Sequence, residues 1–218
     1  MQISIDAGEQ WLIDEQRQRL AEYDGPLDCI IDVGAHVGTF ALAAADRGAK
    51  LVIAIEPDPQ NYLKLCQNIT GNRLNHIIVP LPLAATVRGW QDVILRRAGV
   101  NSGQRSVAFK DTFPGVHVRS LDFWNFSWNS GHRIDYLKID IEGGEWELLS
   151  DQRARSILSY VGYVNIEGHP LDNERFFNGW KPETREQVYN MLCGLFDIVD
   201  YGPPQAPVWR GPRKMKKR

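Results

Sequence analysis

The apolar run Cys29-Ile30-Ile31-Asp32-Val33 breaks straight into Gly34-Ala35-His36-Val37-Gly38. An alanine-rich stretch from Thr39 to Arg47 follows, closed by Gly48. A short apolar run without polar alternation reads as a strand buried on both faces, which is the habit of parallel sheets. Parallel strands need a crossover, usually a helix, so this opening commits the chain to a strand–turn–helix unit. The unit recurs. Leu51 to Ile55 reads as a second strand, Asp58 as a helix N-cap with Pro59 at the first helical position, and the helix as running to about Ile69. Ile77 to Leu81, Ile134 to Ile141 and Val161 to Glu167 read as strands three to five, and Pro182 to Leu195 as another helix. Phe196 to Tyr201 and Val208 to Trp209 read as late strands joined by a Pro-rich turn, a hairpin that would add an antiparallel strand to the sheet.

This alternation predicts an α/β fold, a Rossmann-like doubly wound sheet with helices on both faces. Residues 90–120 interrupt it. Asp92 to Leu95, Ser106 to Phe109 and Val116 to Arg119 read as short β segments of a flap inserted before strand four. Ahead of the first strand, Glu9 to Tyr23 reads as an amphipathic helix stopped by Asp24-Gly25-Pro26. The expected organisation over residues 1–218 is a single domain, with an N-terminal helical segment (1–26), the flap (90–120) and a basic tail (210–218). Net charge is −2, so no global field favours nucleic acid or an anionic membrane. The tail residues Arg210, Arg213, Lys214, Lys216, Lys217 and Arg218 read as a solvated terminus. Cys29, Cys66 and Cys193 form no CxxC pair, which argues against a zinc site or a disulfide framework and for a reduced, cytoplasmic setting. No segment looks like a secretory signal, and no apolar run reaches bilayer length.

The first turn carries chemistry. Gly34 lets the backbone bend sharply and approach a ligand, and the helix beyond offers unpaired N–H groups. Glu56 ends the second strand, 24 residues after Asp32, where a carboxylate can accept both hydroxyls of an adenosine ribose. A dinucleotide is disfavoured. NAD-binding turns place a second glycine where this chain has His36, and Asp32 would repel a pyrophosphate. An acid there suits the ammonium of a methionine moiety.

The segments Ile31-Asp32-Val33-Gly34-Ala35-His36-Val37-Gly38, Ile55-Glu56-Pro57-Asp58-Pro59-Gln60-Asn61, Leu121-Asp122 and Leu137-Lys138-Ile139-Asp140-Ile141-Glu142-Gly143-Gly144-Glu145 resemble the FkbM-type methyltransferases. These are class I S-adenosylmethionine enzymes, many of them O-methyltransferases. The resemblance runs from about Cys29 to His169. It implies a sheet of about seven strands with the last antiparallel. It also implies S-adenosylmethionine as cofactor, with Asp32 and Gly34 along its methionine part, Glu56 on the ribose and Leu83-Ala84-Ala85 beside the adenine. Ala35, His36, Gly38, Pro57 and Asp140 complete the expected cofactor-binding set. Two departures stand out: His36 replaces the family's usual asparagine, and the short region before strand one leaves little room for an N-terminal lid.

Strand four should neighbour strand one at the point where strand order reverses, which puts Asp140 beside the Asp32 turn. Methyl transfer is an in-line displacement, and a hydroxyl acceptor needs its proton removed. Asp140 and His169, at the ends of strands four and five, are the candidate catalytic residues. Asp140 acts either as a base or as a ligand to Mg²⁺; no dedicated protein metal site is expected. Glu142 reads equally as a helix cap, and Glu145 and Glu147 as first-turn helix charges. A buried strand can hold Lys138 against a carboxylate. His76, His117 and His132 stand outside any constellation. Trp124, Phe126 and Trp128 read as lid packing with a possible stacking role. The expected acceptor is a hydroxyl on a sugar, glycan or small metabolite. Nucleic acid is set aside, because the amino-methylating Asn/Asp-Pro-Pro-Tyr/Phe segment is missing and only the tail favours it. A cofactor-binding scaffold without activity is the reading from another class.

Overall fold

A computed structural model describes residues 10–97, 105–109, 111–129, 133–169, 182–197 and 208–212. In chain order the elements are α1 (Gln10–Ala21), β1 (Ile30–Val33), α2 (Thr39–Asp46), β2 (Val52–Ile55), α3 (Pro59–Gly71), β3 (Ile78–Leu81), β4 (Ala84–Thr86), β5 (Asp92–Arg97), β6 (Arg105–Ser106), β7 (Gly115–Asp122), α4 (Phe123–Asn129), β8 (Tyr136–Ile139), α5 (Glu145–Ser150), α6 (Ala154–Leu158), β9 (Tyr163–Glu167), α7 (Pro182–Leu195) and β10 (Val208–Pro212).

The main sheet has the order β10-β9-β8-β1-β2-β3. All neighbours are parallel except β10, which runs antiparallel to β9. This is a mixed α/β, Rossmann-like architecture. Six strands stand in the sheet among the described residues, against the seven expected. Most of the candidate strand Phe196 to Tyr201 lies outside the described residues, as do residues 213–218 of the basic tail.

Both sheet faces are covered, which is why the strands lack polar alternation. Ile31, Val33, Ile53, Ile55, Leu137 and Ile139 pack one face, and Ile30, Val52, Ala54, Ile78, Tyr136 and Tyr163 the other. α2 is apolar on every side because it is buried on every side: Thr39 to Ala45 are all buried, with α1 packed over it. Its alanines let both neighbours approach closely. Pro80 sits in β3, an edge strand, where the missing N–H costs no ladder bond. Asp58 caps α3 as expected, accepting from the Gln60 and Asn61 amides.

Residues between β3 and α4 build a second sheet of order β4-β7-β5-β6. It is larger than isolated β fragments: β7 spans eight residues, and β4 pairs with it in parallel. Trp124 is fully buried and donates from Nε1 to the Leu148 carbonyl at 2.8 Å, so it is a core residue rather than a stacking surface. No helix among the described residues is long and apolar enough to cross a membrane.

Candidate active site

β1 and β8 are neighbours although the whole β2–β3 half of the chain separates them, and strand order reverses between them. Such a switch point opens a crevice at the strands' carboxyl ends. Two turns meet there. Gly34 has φ 84°, and a Cβ on it would overlap the Asp140 carbonyl oxygen, so the β1 turn closes against the β8 turn only with glycine at this place. His36 and Glu142 also have positive φ, 53° and 55°, a strained conformation for residues with side chains.

A cavity of about 540 Å³ lies over these turns, a size ordinary for a cofactor and its small substrate. Gly34, Ala35 and His36 line it from the β1 turn, Glu56 and Pro57 from the end of β2, and Ala84 and Ala85 from β4. Lys138, Asp140 and Glu142 line it from β8 and its turn. The small residues of β4 leave room on the wall of the same cavity. Arg105 and Ser106 of the second sheet close the cavity across from α1, which contributes Trp11, Leu12 and Gln16. Arg105 is tied to Asp58, the cap of α3, and Ser106 Oγ donates to the Ile141 carbonyl at 3.3 Å, which bridges that sheet to the start of α3 and to the β8 turn.

Two of the expected cofactor contacts fall away. Gly38 does not line the cavity; it is the N-cap of α2, seated against Leu42 and Leu65. Asp32 is fully buried and does not line the cavity either. Parallel register sets it opposite Lys138, whose Nζ lies 3.3 Å from Asp32 Oδ1 and 3.4 Å from Asp140 Oδ2 and donates to the Gly34 carbonyl at 3.2 Å. Desolvation works to lower the Lys138 pKa, and the two aspartates outweigh it and raise it. Asp32 therefore holds the lysine that ties the two turns together, rather than meeting a ligand's ammonium.

Glu56 is on the cavity wall, but it is only 6% exposed and already engaged. Its Oε2 accepts from the His36 amide at 2.8 Å and its Oε1 from the Asp58 amide at 2.9 Å. Burial pushes the carboxyl up to about 7 despite these donors. His36 is driven down to about 4 by burial and by Lys138, so its imidazole is neutral at physiological pH.

The carboxyl ends of β8 and β9 bring four groups together. Fully buried Glu145 accepts from the Ile141 amide at 2.6 Å and the Gly143 amide at 2.8 Å, folding the turn that carries Glu142. His169 Nδ1 lies 3.1 Å from Glu145 Oε1, and its Nε2 lies 3.5 Å from Glu142 Oε2 and 4.0 Å from Asp140 Oδ1. The His169 carbonyl accepts from Trp146 Nε1 at 2.7 Å, which fixes the β9 end against α5. Desolvation opposes a charge on His169, but Glu145, Glu142 and Asp140 raise its pKa to about 10. An imidazolium has no lone pair, and His169 is not among the residues that line the cavity, which argues against the base role expected of it. Asp140 is also held ionised: burial opposes this, and Lys138, His169 and Arg19 overcome it. Glu142 differs. Burial pushes it up to about 7, with His169 pulling down and the neighbouring acids pushing up.

Asp140, Glu145 and His169 each offer one donor atom within 4.8 Å of the others. They do not fit Mg²⁺. That ion takes an octahedron of oxygens, whereas here one donor is an imidazole nitrogen and both Glu145 oxygens are engaged by amides. The Mg²⁺ role considered for Asp140 has no support.

Residues 32–190, well over half the chain, match the methyltransferase FkbM domain. The chain belongs to the FkbM methyltransferase family. This FkbM domain is 38% identical over 65 residues to the tRNA(Phe) (4-demethylwyosine(37)-C(7)) aminocarboxypropyltransferase of Methanocaldococcus jannaschii, a stretch covering 29% of this chain and 26% of that one. The chain thus spans about a quarter of that relative's length. Its fold is similar to a candidate rRNA methylase from Clostridium thermocellum, with TM-score 0.54, 8% identity and 99% of both chains covered. It is also similar to the candidate methyltransferase yhhF of Escherichia coli, with TM-score 0.51, 10% identity, and 97% and 90% covered. The family is one of methyltransferases, and the cofactor its resemblance leads one to expect is S-adenosylmethionine.

The cavity fits that cofactor: a turn closed to any Cβ at Gly34, a buried acid at the end of β2, and a small-residue slot at Ala84 and Ala85. Sequence reasoning missed the wall residues of α1 and of the second sheet, Trp11, Gln16, Arg105 and Ser106 among them. Trp11 and Gln16 sit in what was read as too short a segment for a lid. Arg105 and Ser106 form a two-residue strand at the edge of the segment read as Ser106 to Phe109, which that reading assigns to the flap and not to the site.

Proposed function

We propose that this methyltransferase transfers a methyl group to a hydroxyl oxygen, with Glu142 as the general base. One observation carries the reading: Glu142 stands on the cavity wall at a strained turn, and its carboxyl is raised to about 7. A base with a pKa near the working pH is ionised yet still able to hold a proton. When bound, S-adenosylmethionine supplies a methyl on a sulfonium, which is already a good leaving group.

The chain's own work is positioning and proton handling. The Gly34–His36 turn, Glu56 and the Ala84–Ala85 slot hold the cofactor. Lys138 locks the two turns at a fixed separation, which keeps the donor and acceptor sites aligned. Glu142 takes the acceptor's hydroxyl proton as the new C–O bond forms. Imidazolium at His169 stabilises Glu142 as carboxylate, and Glu145 holds the turn that aims it. Asp140 is the second wall acid and orients the acceptor hydroxyl. The test is a labelled-methyl assay over small polyols, glycans and tRNA, comparing wild type with Glu142→Gln. Loss of transfer with retained S-adenosylhomocysteine binding supports the reading, and full activity in Glu142→Gln defeats it.

An RNA acceptor is the second reading. The charge balance set nucleic acid aside, but the 38% identity to a tRNA-modifying relative reopens it. Label incorporated into tRNA and into none of the glycans or polyols would favour it.

A further inference from the structure

α1 contributes to the cavity in a way the cofactor-holding residues do not explain. Gln16 is only 7% exposed and lines the cavity, and its Oε1 has no hydrogen-bond partner among the described residues. Buried amide oxygens are nearly always paired, so an orphan on a residue that lines a cavity marks a place for a ligand donor. Trp11 lines the same cavity from the same helix, yet 63% of it is exposed. An indole held open there offers a flat apolar plate for a ring.

Charge narrows the ligand. Lys138 on the wall is engaged by Asp32 and Asp140, and Arg105 by Asp58. His36 is neutral, while Asp140 and Glu142 add negative charge. A phosphorylated acceptor would meet these acids, and both cations among the described wall residues are already paired with aspartates, Arg105 keeping one unpaired Nε–H donor.

We infer that α1 forms the acceptor subsite, and that the acceptor is a neutral polyhydroxylated ring of the sugar type. Its apolar face lies on Trp11, and one hydroxyl donates to Gln16 Oε1. This rests on the hydroxyl-methylation reading above. Placing the acceptor on α1 leaves a second hydroxyl to face Glu142 across the cavity.

The test uses the full chain saturated with S-adenosylhomocysteine and saturation-transfer NMR. Its probes are methyl β-glucopyranoside, methyl α-rhamnopyranoside and glucose 6-phosphate. The neutral glycosides should give signals and the phosphate should not. Trp11→Ala and Gln16→Met should each weaken the glycoside signals by roughly tenfold, the worth of one lost contact. Both should leave the S-adenosylhomocysteine Kd within about twofold of wild type. Trp11 is mostly exposed, and Gln16→Met keeps the side-chain volume, so both variants should fold; a thermal melt checks this. Silent glycosides on a protein that binds S-adenosylhomocysteine would overturn the inference and leave methyl transfer standing. Glycoside signals that survive both substitutions would also overturn it. Weakened S-adenosylhomocysteine binding in Gln16→Met would assign Gln16 to the cofactor instead. If wild type does not bind S-adenosylhomocysteine at all, the cofactor site itself fails and the inference with it.

Discussion

Glu145 Oε1 faces His169 Nδ1 at 3.1 Å while the same carboxylate accepts the amides of Ile141 and Gly143. One buried acid thus shapes the turn that carries Glu142 and charges the histidine behind it. On the proposed mechanism the reactive group at this corner is Glu142, with His169 as its electrostatic support.

That pairing sets a pH dependence of stability. The folded-state pKa of His169 is raised from its ordinary 6.5 to about 10. The bonus of protonated His169 is therefore complete below pH 6.5 and is lost as pH rises through about 10. Urea titrations should find His169→Gln less stable than wild type by about 1.5–3 kcal/mol at pH 6, the worth of a charge-assisted hydrogen bond. The gap should close above pH 10. A constant gap across that range would mean the histidine is not charged in the fold.

Catalysis should follow Glu142. With its pKa near 7, kcat/KM should rise with pH and level off above neutrality. Glu142→Gln should lower turnover by roughly 10²–10⁴-fold and flatten that limb. Cofactor affinity, read by calorimetry with S-adenosylhomocysteine, should not change. An intact acidic limb in the variant would move the base elsewhere.

Glu56 should prove structural as well as ligand-binding. Glu56→Ala strands the His36 and Asp58 amides, so both cofactor affinity and fold stability should fall, each by about 1–3 kcal/mol. Calorimetry and a thermal melt read the two effects separately. A normal melt with weak binding would show that the carboxylate serves the ligand alone.

Lys138 should be coupled to Asp32. Lys138→Met leaves Asp32 buried without its cation and should destabilise by about 3–5 kcal/mol. Adding Asp32→Asn should recover much of that loss, since the neutral pair has no stranded charge. Additive losses in the double mutant would disprove the coupling.

Turnover should be indifferent to chelators. With an imidazole nitrogen as one donor and both Glu145 oxygens engaged by amides, the cluster does not match the oxygen octahedron that Mg²⁺ takes. Activity lost in EDTA and restored by Mg²⁺ would contradict the assignment of Glu142 as an unaided base.

The parallel sheet, the Gly34 turn, the Asp58 cap and the bounds of α7 were legible in the sequence, because each is written in neighbouring residues. Periodicity marks a buried strand, a glycine marks a left-handed turn, and Asp before Pro marks a helix start. The identity of Glu56 and Asp140 as wall residues was legible for the same reason: strand ends are local. The roles of Asp32 and His169 were not. Asp32 looks like a ligand-facing acid until the β1–β8 register sets Lys138 beside it. His169 looks like a base until Glu145 is folded against it from another element. Likewise β4 becomes a strand only by pairing with β7, and Trp11 and Gln16 become cavity walls only when α1 lies over α2. Which atoms a side chain can ionise against, or leave unpaired, depends on what long-range packing brings within a few ångströms. That distance is a property of the folded chain and of no segment within it.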